Sequence, residues 1–425
     1  MELARLPPEL IDIVQHIAPD VATLKSCSLT CKEWFAICRL YIFRRVTLND
    51  QKTFCSLETL IEATPAIGPL IRHINIEYSP ARGPFEEVLN TQIPGIEPIF
   101  DALHMHLTTL CTVRLCSNDI TLMVDKKEWD ASLFSLAANL HTVHTLIIDD
   151  FHMDVIMFQE IMCAFPNIRN VKLWDCSHDT ERLKRRQPVV PCKPRFTSLE
   201  VRFTYSPYDE VRRDLRDFLP FILSAEPTRI LRSLALKVWP EDVADVVEFL
   251  DALGARLEEL RLEVMLQGHT GNAMSLRANT NLRSLILVCP ESPETYNDLT
   301  ATISSLHIRR LEYHVYATTD FMSLATTLDG VVFTDLEELC FVCLKPTRRF
   351  KPDVHQRVIE NVDRHLSAFH KHRGRDILRF VDAEWDGIHY SQDGSLREDS
   401  EDDENDYFDG DFEFYHSYDS NSDRS

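Results

Sequence analysis

The chain has 425 residues, 44% of them hydrophobic, and its 45 basic against 67 acidic side chains give a formal net charge of −22. That length is ample for a large buried core and fits two or three domains of ordinary size. Its acidity argues against a nucleic-acid partner, no stretch reaches the roughly 18 uncharged apolar residues of a membrane span, and Glu2 and Arg5 interrupt any secretory apolar region.

In chain order, Leu6-Pro7-Pro8-Glu9-Leu10 opens a helix, since proline in the first turn gives up no intrahelical bond and pre-sets φ. Leu10, Ile13, Val14 and Ile17 follow at i, i+3, i+4 and i+7 and share one face. Asp20 is placed to cap a second short helix containing Leu24 and Cys27, and a third carries Cys31, Trp34, Phe35, Cys38 and Ile42 on its apolar face. Three such short helices cannot enclose a stable core, so their apolar faces need another domain or a partner chain.

These residues resemble the F-box family in Leu6, Pro7, Glu9, Leu10, Ile13, Ile17, Leu24, Cys27-Ser28-Leu29, Cys31, Lys32 and Trp34. The exit Phe43-Arg44-Arg45-Val46-Thr47-Leu48 looks like its fungal branch. The resemblance covers residues 1–46 alone. It implies a docking module for the Skp-type adaptor of a cullin-based ubiquitin ligase, bound through Leu6, Pro7, Glu9, Leu10, Ile13, Val14, Ile17, Leu24, Cys27, Leu29 and Trp34. The other reading is an ordinary helical cap on a repeat domain, in which Leu-Pro-Pro-Glu-Leu with a tryptophan at this distance is uncommon.

From residue 47 to 390 one phrase recurs, apolar-x-x-apolar-x-apolar. Clear copies are Ile168-Val171-Leu173, Leu231-Leu234-Leu236, Leu257-Leu260-Leu262, Leu282-Leu285-Leu287, Ile308-Leu311-Tyr313 and Leu336-Leu339-Phe341. Weaker ones are Ile71-Ile74-Ile76, Val143-Leu146-Ile148 and Phe196-Leu199-Val201. Their middle positions 234, 260, 285, 311 and 339 are spaced for one strand and one helix per copy. Helices are expected over Asp154–Phe165, Asp214–Leu223 and Asp242–Leu253.

The expected class is α/β, and the phrase resembles a degenerate leucine-rich-repeat solenoid. The ninth position, usually asparagine in that family, holds Cys176, Thr204, Trp239, Met265, Pro290, Tyr316 and Leu344, so the turns are expected to close by packing. A doubly wound sheet would also alternate strand and helix, but without nearly constant steps. The resemblance implies target recognition on the concave strand face, by residues alternating with the buried Val171, Leu173, Leu234, Leu236, Leu260, Leu262, Leu285 and Leu287. Those residues are Lys172, Trp174, Arg202, Lys237, Arg261, Glu263 and His314, a basic set in an acidic chain that predicts an acidic or phosphorylated target. Trp174 is either a binding anchor or a ring packed on a neighbouring strand.

Residues 391–425 change character: from Glu398 to Ser425 twelve acidic residues stand against one arginine. Such a segment cannot bury enough apolar surface to order itself. Its Tyr407, Phe408, Phe412, Phe414, Tyr415 and Tyr418 make either a peptide for a partner or part of a solvated tail.

Catalytic and cofactor motifs are sparse. No Gly-rich phosphate loop, Gly-x-Ser-x-Gly or His-Glu-x-x-His occurs. Cys340-Phe-Val-Cys343 has the spacing of half a zinc site with no second half. His365, His370 and His372 suit a helix C-terminus, and Arg182, Lys184, Arg185 and Arg186 a solvated loop. The expectation is a non-catalytic adaptor without metal, cofactor or membrane, in the cytosol or nucleus, whose cysteines are core residues. An F-box scaffold outside any ligase, and a transferase or hydrolase hidden in the repeats, remain open alternatives.

Overall fold

Apolar and polar residues alternate through each repeated phrase, a period of two that sends one side of an extended chain into apolar surroundings. In the computed structural model these phrases are strands. They are β1 (Arg45–Leu48), β2 (His73–Tyr78), β3 (Thr112–Ser117), β4 (Thr145–Asp149), β5 (Asn170–Trp174), β6 (Ser198–Arg202), β7 (Ser233–Val238), β8 (Glu259–Val264), β9 (Ser284–Val288), β10 (Arg310–Val315), β11 (Glu338–Pro346) and β12 (Leu378–Trp385). The structure describes residues 21–49, 51–78, 105–117, 140–149, 158, 161–162, 165, 167–174, 176, 196–202, 219, 222, 230–265, 274–289, 293–315, 321–330, 333, 335–346, 354–366 and 377–385. The chain divides into two units, Met1–Asp386 and Gly387–Ser425, and every described residue lies in the first.

The twelve strands form one parallel sheet in the order β1 to β12, the order of the chain. That order contains no reversal, so the doubly wound alternative, which needs a switch point, is excluded for these strands. Parallel neighbours require a crossover, and the described helices between strands are α3 (Gln51–Ala63), α4 (Val243–Leu253), α5 (Pro293–Ala301), α6 (Phe321–Gly330) and α7 (Val354–His365), after α1 (Val21–Ser28) and α2 (Lys32–Ile42).

Register carries the repeat. Ile74, Val113, Leu146, Val171, Leu199 and Leu234 pair strand to strand, and Leu234, Leu260, Leu285, Leu311, Leu339 and Leu378 continue the column. A second column, two residues on, ends in Tyr313, Phe341 and Phe380, whose rings stack at 5.8 and 6.0 Å. The expected buried set is buried throughout, and it shares one cluster with Phe54, Leu57 and Ile61 of α3, Val246, Phe249 and Leu250 of α4, and Val358 and Val362 of α7. Strand and helix faces thus cover each other's apolar surface. Two phrases escaped the sequence reading: Leu110-Val113-Leu115 and the one on β12.

One backbone contact recurs at each strand start. The carbonyls of Arg44, Arg72, Cys111, His144, Arg169, Thr197, Arg232, Glu258, Arg283 and Arg309 each accept two successive N–H groups from the start of the next strand. The steps between them are unequal, 25 residues from Glu258 to Arg283 but 39 from Arg72 to Cys111, while the contact stays the same. Length variation is absorbed in the connections, where chain closure costs grow slowly with length.

The expectation that packing alone closes the turns is corrected. Cys176 Sγ donates to the Ile148 and Trp174 carbonyls at 3.4 Å, a hydrogen bond at the ninth position. At the other end of the strands, Thr109, Asn167 and Asn281 reach back to the carbonyls of Pro69, His141 and Ala255, at 2.7, 2.7 and 2.8 Å. The buried Asn279 donates to the Leu250 and Gly254 carbonyls at 2.9 and 3.1 Å. It thereby satisfies the C-terminus of α4, which ends on Gly254 at φ +53°.

Of the three expected N-terminal helices, the first lies outside the described residues. The other two are α1 and α2, packed on a core of Leu24, Ile37 and Cys38 that is separate from that of the sheet. Trp34, Tyr41 and Ile42 lean on this core, whereas Phe35 is 47% exposed and Cys31 lies outside the helix, a correction to the expected apolar face. Residue 46, the expected domain border, falls within β1. Of the expected helices, 242–253 is found as α4 with a short turn before it, while the bounds of 154–165 and 214–223, like the tail 391–425, lie outside the described residues.

Candidate functional site on the polar face of the sheet

Residues between the buried ones point to the opposite face, and the parallel register stacks them in rows. One row runs Lys172, Glu200, Ala235, Arg261, Ile286, Glu312 from β5 to β10. The next row, two residues on, holds Cys116, Asp149, Trp174 and Arg202 on β3 to β6. It continues with the pair Lys237 and Glu263 on β7 and β8, then Val288 and His314. From β5 to β8 these two rows carry four cations (Lys172, Arg202, Lys237, Arg261) against two carboxylates (Glu200, Glu263), although the whole chain is acidic.

Most of these charges are matched. Glu200 accepts from Trp174 Nε1 at 3.1 Å, Arg202 Nε at 2.7 Å and Lys172 Nζ at 3.4 Å. Lys237 Nζ lies 3.3 Å from Glu263. Arg114 pairs with the buried Asp149; burial by itself would lower its guanidinium, and the Asp149 charge and hydrogen bond, with smaller help from Cys116 and Glu77, together hold it above its ordinary value. The Trp174 ring is flanked by Lys172 Nζ of its own strand at 5.1 Å and by Arg114 Cζ of β3 at 5.8 Å, so its face is already engaged within the sheet.

Arg261 is different. It has no ion pair or hydrogen bond among the described residues, and its row neighbours are Ala235 and Ile286. Burial pushes its guanidinium below the ordinary value and the Arg202 charge pushes the same way, while Glu263, Glu200 and Glu312 pull back less strongly.

Of the residues expected on this face, Lys172, Trp174, Arg202, Lys237, Arg261 and Glu263 are half-buried on it. His314 is corrected: it is 5% exposed, with Nε2 2.7 Å from Glu312 Oε1, and Val288 and Val342 flank it in register. Arg310 Nη2 binds the other Glu312 oxygen at 2.6 Å. Burial would raise the Glu312 carboxyl, but the His314 and Arg310 contacts outweigh it and hold it below the usual range. Neither Glu312 nor Arg114 was singled out in the sequence; their alternation with buried residues was the signal that marked them.

Of the expected adaptor contacts, Leu6, Pro7, Glu9, Leu10, Ile13, Val14 and Ile17 lie outside the described residues. Leu24 is corrected from contact to core, being fully buried between α1 and α2. Cys27 and Trp34 are half-buried on that core, and Leu29 is 85% exposed.

Burial pushes the Cys340 thiol up to about 11 and Cys289 up further, which disfavours the reactive thiolate. Cys340 and Cys343 stand three residues apart on β11 and so point to opposite faces, and no group of three potential metal ligands occurs among the described residues. No described helix is long and apolar enough to cross a membrane. A rigid, charged, partly desolvated surface is suited to holding another polar surface. No family model matches this chain, and neither does any curated protein sequence.

Proposed function

We propose that this chain is the substrate-recognition subunit of a Skp-cullin-F-box ubiquitin ligase, in the cytosol or nucleus. Residues 1–46 dock on the Skp-type adaptor, and the strands and helices beyond them form a degenerate leucine-rich-repeat solenoid that holds a target protein on the polar face of its sheet. The chain supplies no reacting group. Its contribution is proximity, since holding an acceptor lysine near a ubiquitin thioester raises its effective concentration.

The observation that carries this reading is the second hydrophobic cluster. The α1–α2 pair keeps a core of its own and leaves Leu29 and Phe35 uncovered, beside a sequence that resembles an F-box. Exposed large apolar groups on so small a unit favour a covering partner. The uninterrupted strand order and the recurring contact at each strand start support the repeat reading.

The test is a pull-down with the adaptor and cullin. Leu6→Ala with Pro7→Ala is expected to abolish adaptor binding while the sheet stays folded, and unchanged binding would overturn the proposal. Adaptor retained without cullin would point instead to a scaffold outside a ligase. Trp174→Ala, Arg202→Ala and Arg261→Ala together are expected to stabilise the cellular target and leave adaptor binding intact.

A further inference from the structure

Among the described residues Arg261 has no hydrogen bond or ion pair, and the carboxylates that attract it, Glu263, Glu200 and Glu312, do so from a distance. Glu200, two strands away across Ala235, is already engaged by Trp174, Lys172 and Arg202, and Glu263 by Lys237. Ala235 is the smallest side chain in its row, so from β7 only a methyl group stands between Glu200 and Arg261, a notch in the row's side-chain lengths that spans two strand spacings or roughly 10 Å. Arg261 borders it on β8, and Arg202, two residues beyond Glu200 on β6, stands diagonally across from it with a charge that repels the Arg261 guanidinium.

A half-buried guanidinium with apolar row neighbours and a like charge nearby costs folding free energy. Such local conflict is found where a site waits for a ligand. An anion in the notch would relieve both terms, since it would match the unpaired guanidinium and screen it from Arg202. Guanidinium favours carboxylate and phosphate oxygens, which fit its planar fork two at a time.

We propose that the Ala235 notch, with Arg261 at its border and Arg202 diagonally across, receives one anionic side chain, carboxylate or phosphate, from an extended acidic segment of the bound protein. The proposal rests on reading the polar face as the recognition surface, and is independent of whether residues 1–46 bind an adaptor. Charge complementarity selects the occupant: four cations against two carboxylates in a chain of net charge −22 mark this patch for an acidic segment.

The test is fluorescence anisotropy on the full chain with three labelled probes: a hexaglutamate peptide, an alanine-based hexapeptide carrying one phosphoserine, and a thymidine hexanucleotide. At least one peptide should bind more tightly than the oligonucleotide, and which peptide it is tells carboxylate from phosphate. Arg261→Gln should weaken that peptide about ten-fold, the scale of one lost charge-assisted contact, and Arg202→Gln should weaken it too. Arg283→Gln, which alters an exposed cation paired with Glu258, should change it less than about two-fold. The thermal midpoint of Arg261→Gln should equal or exceed that of the parent, whereas an arginine kept for structure would lower it. If Arg261→Gln does not fold, the structural role prevails and the proposal falls, unless Arg202→Gln alone weakens the peptide ten-fold. Absence of peptide binding, tighter oligonucleotide binding, or equal losses in Arg261→Gln and Arg283→Gln would each overturn it. The adaptor pull-down reports separately on the ligase reading.

Discussion

Trp174 on β5 donates its indole N–H to Glu200 on β6 at 3.1 Å, and the same carboxylate takes Arg202 and Lys172. The ring is therefore a strut between strands before it is an anchor for anything else. Trp174→Phe keeps the ring and loses one donor of three, so the unfolding midpoint in urea should barely move. Trp174→Ala removes a half-buried ring and should cost about 1–3 kcal/mol, below the usual loss for a fully buried aromatic. Equal losses in the two variants would mean that the hydrogen bond, and not the ring, carries the effect.

Glu312 gives a pH dependence of definite sign. Its carboxyl is held below the ordinary value by His314 and Arg310, so the native state binds its proton more weakly than the unfolded chain does. The resulting stability is present above the unfolded pKa and is lost as pH falls through the lower native value. Glu312→Gln should therefore lower stability at neutral pH and flatten the decline below about pH 4.5, measured by urea unfolding from pH 7 to pH 3. Parallel curves for the two proteins would contradict this.

Two glycines should fail for different reasons. A methyl group at Gly68 would sit 2.5 Å from the His106 carbonyl oxygen, so Gly68→Ala must displace backbone. Gly254 has room for that methyl but holds φ +53° with ψ −135°, a conformation that residues with a Cβ rarely adopt, so Gly254→Ala strains the backbone by about 1–3 kcal/mol without a clash. Thermal denaturation is expected to rank Gly68→Ala as the more damaging.

Asn279 is the buried tie between the end of α4 and the next repeat. Asn279→Ala removes the side-chain donor from the Leu250 and Gly254 carbonyls, which keep the Gly254 and Leu257 N–H groups, and should cost about 1–2 kcal/mol, the net loss of two hydrogen bonds. Hydrogen exchange should then speed up in the last turn of α4 first, and uniform acceleration across the sheet would argue against a local cap.

On α1 and α2 the exposed and buried apolar residues separate docking from folding. Leu29→Glu with Phe35→Glu should leave the thermal midpoint unchanged and weaken adaptor capture. Leu24→Ala should melt the pair itself, at about 2–5 kcal/mol for a buried leucine. A midpoint lowered by the glutamate pair would show that those side chains belong to a packed surface.

The sequence by itself determined which strand residues are buried, because a period of two is local and the phrase Leu234-x-Leu236 reads the same wherever its strand lies. It could not show the phrases at Leu110 or on β12, where spacing drifts, nor that ten carbonyls repeat one contact across unequal connections. Pairing between charges was likewise hidden. Arg202, Lys237 and Arg261 look alike as basic residues on strands, yet Glu200 and Glu263 form ion pairs with the first two, while the third has none among the described residues. Arg202 meets Glu200 within β6, but Lys172 meets Glu200 and Lys237 meets Glu263 only through register between segments 26 or more residues apart. That decision belongs to the tertiary structure, because Coulomb interactions fall with distance in space and take no account of distance along the chain.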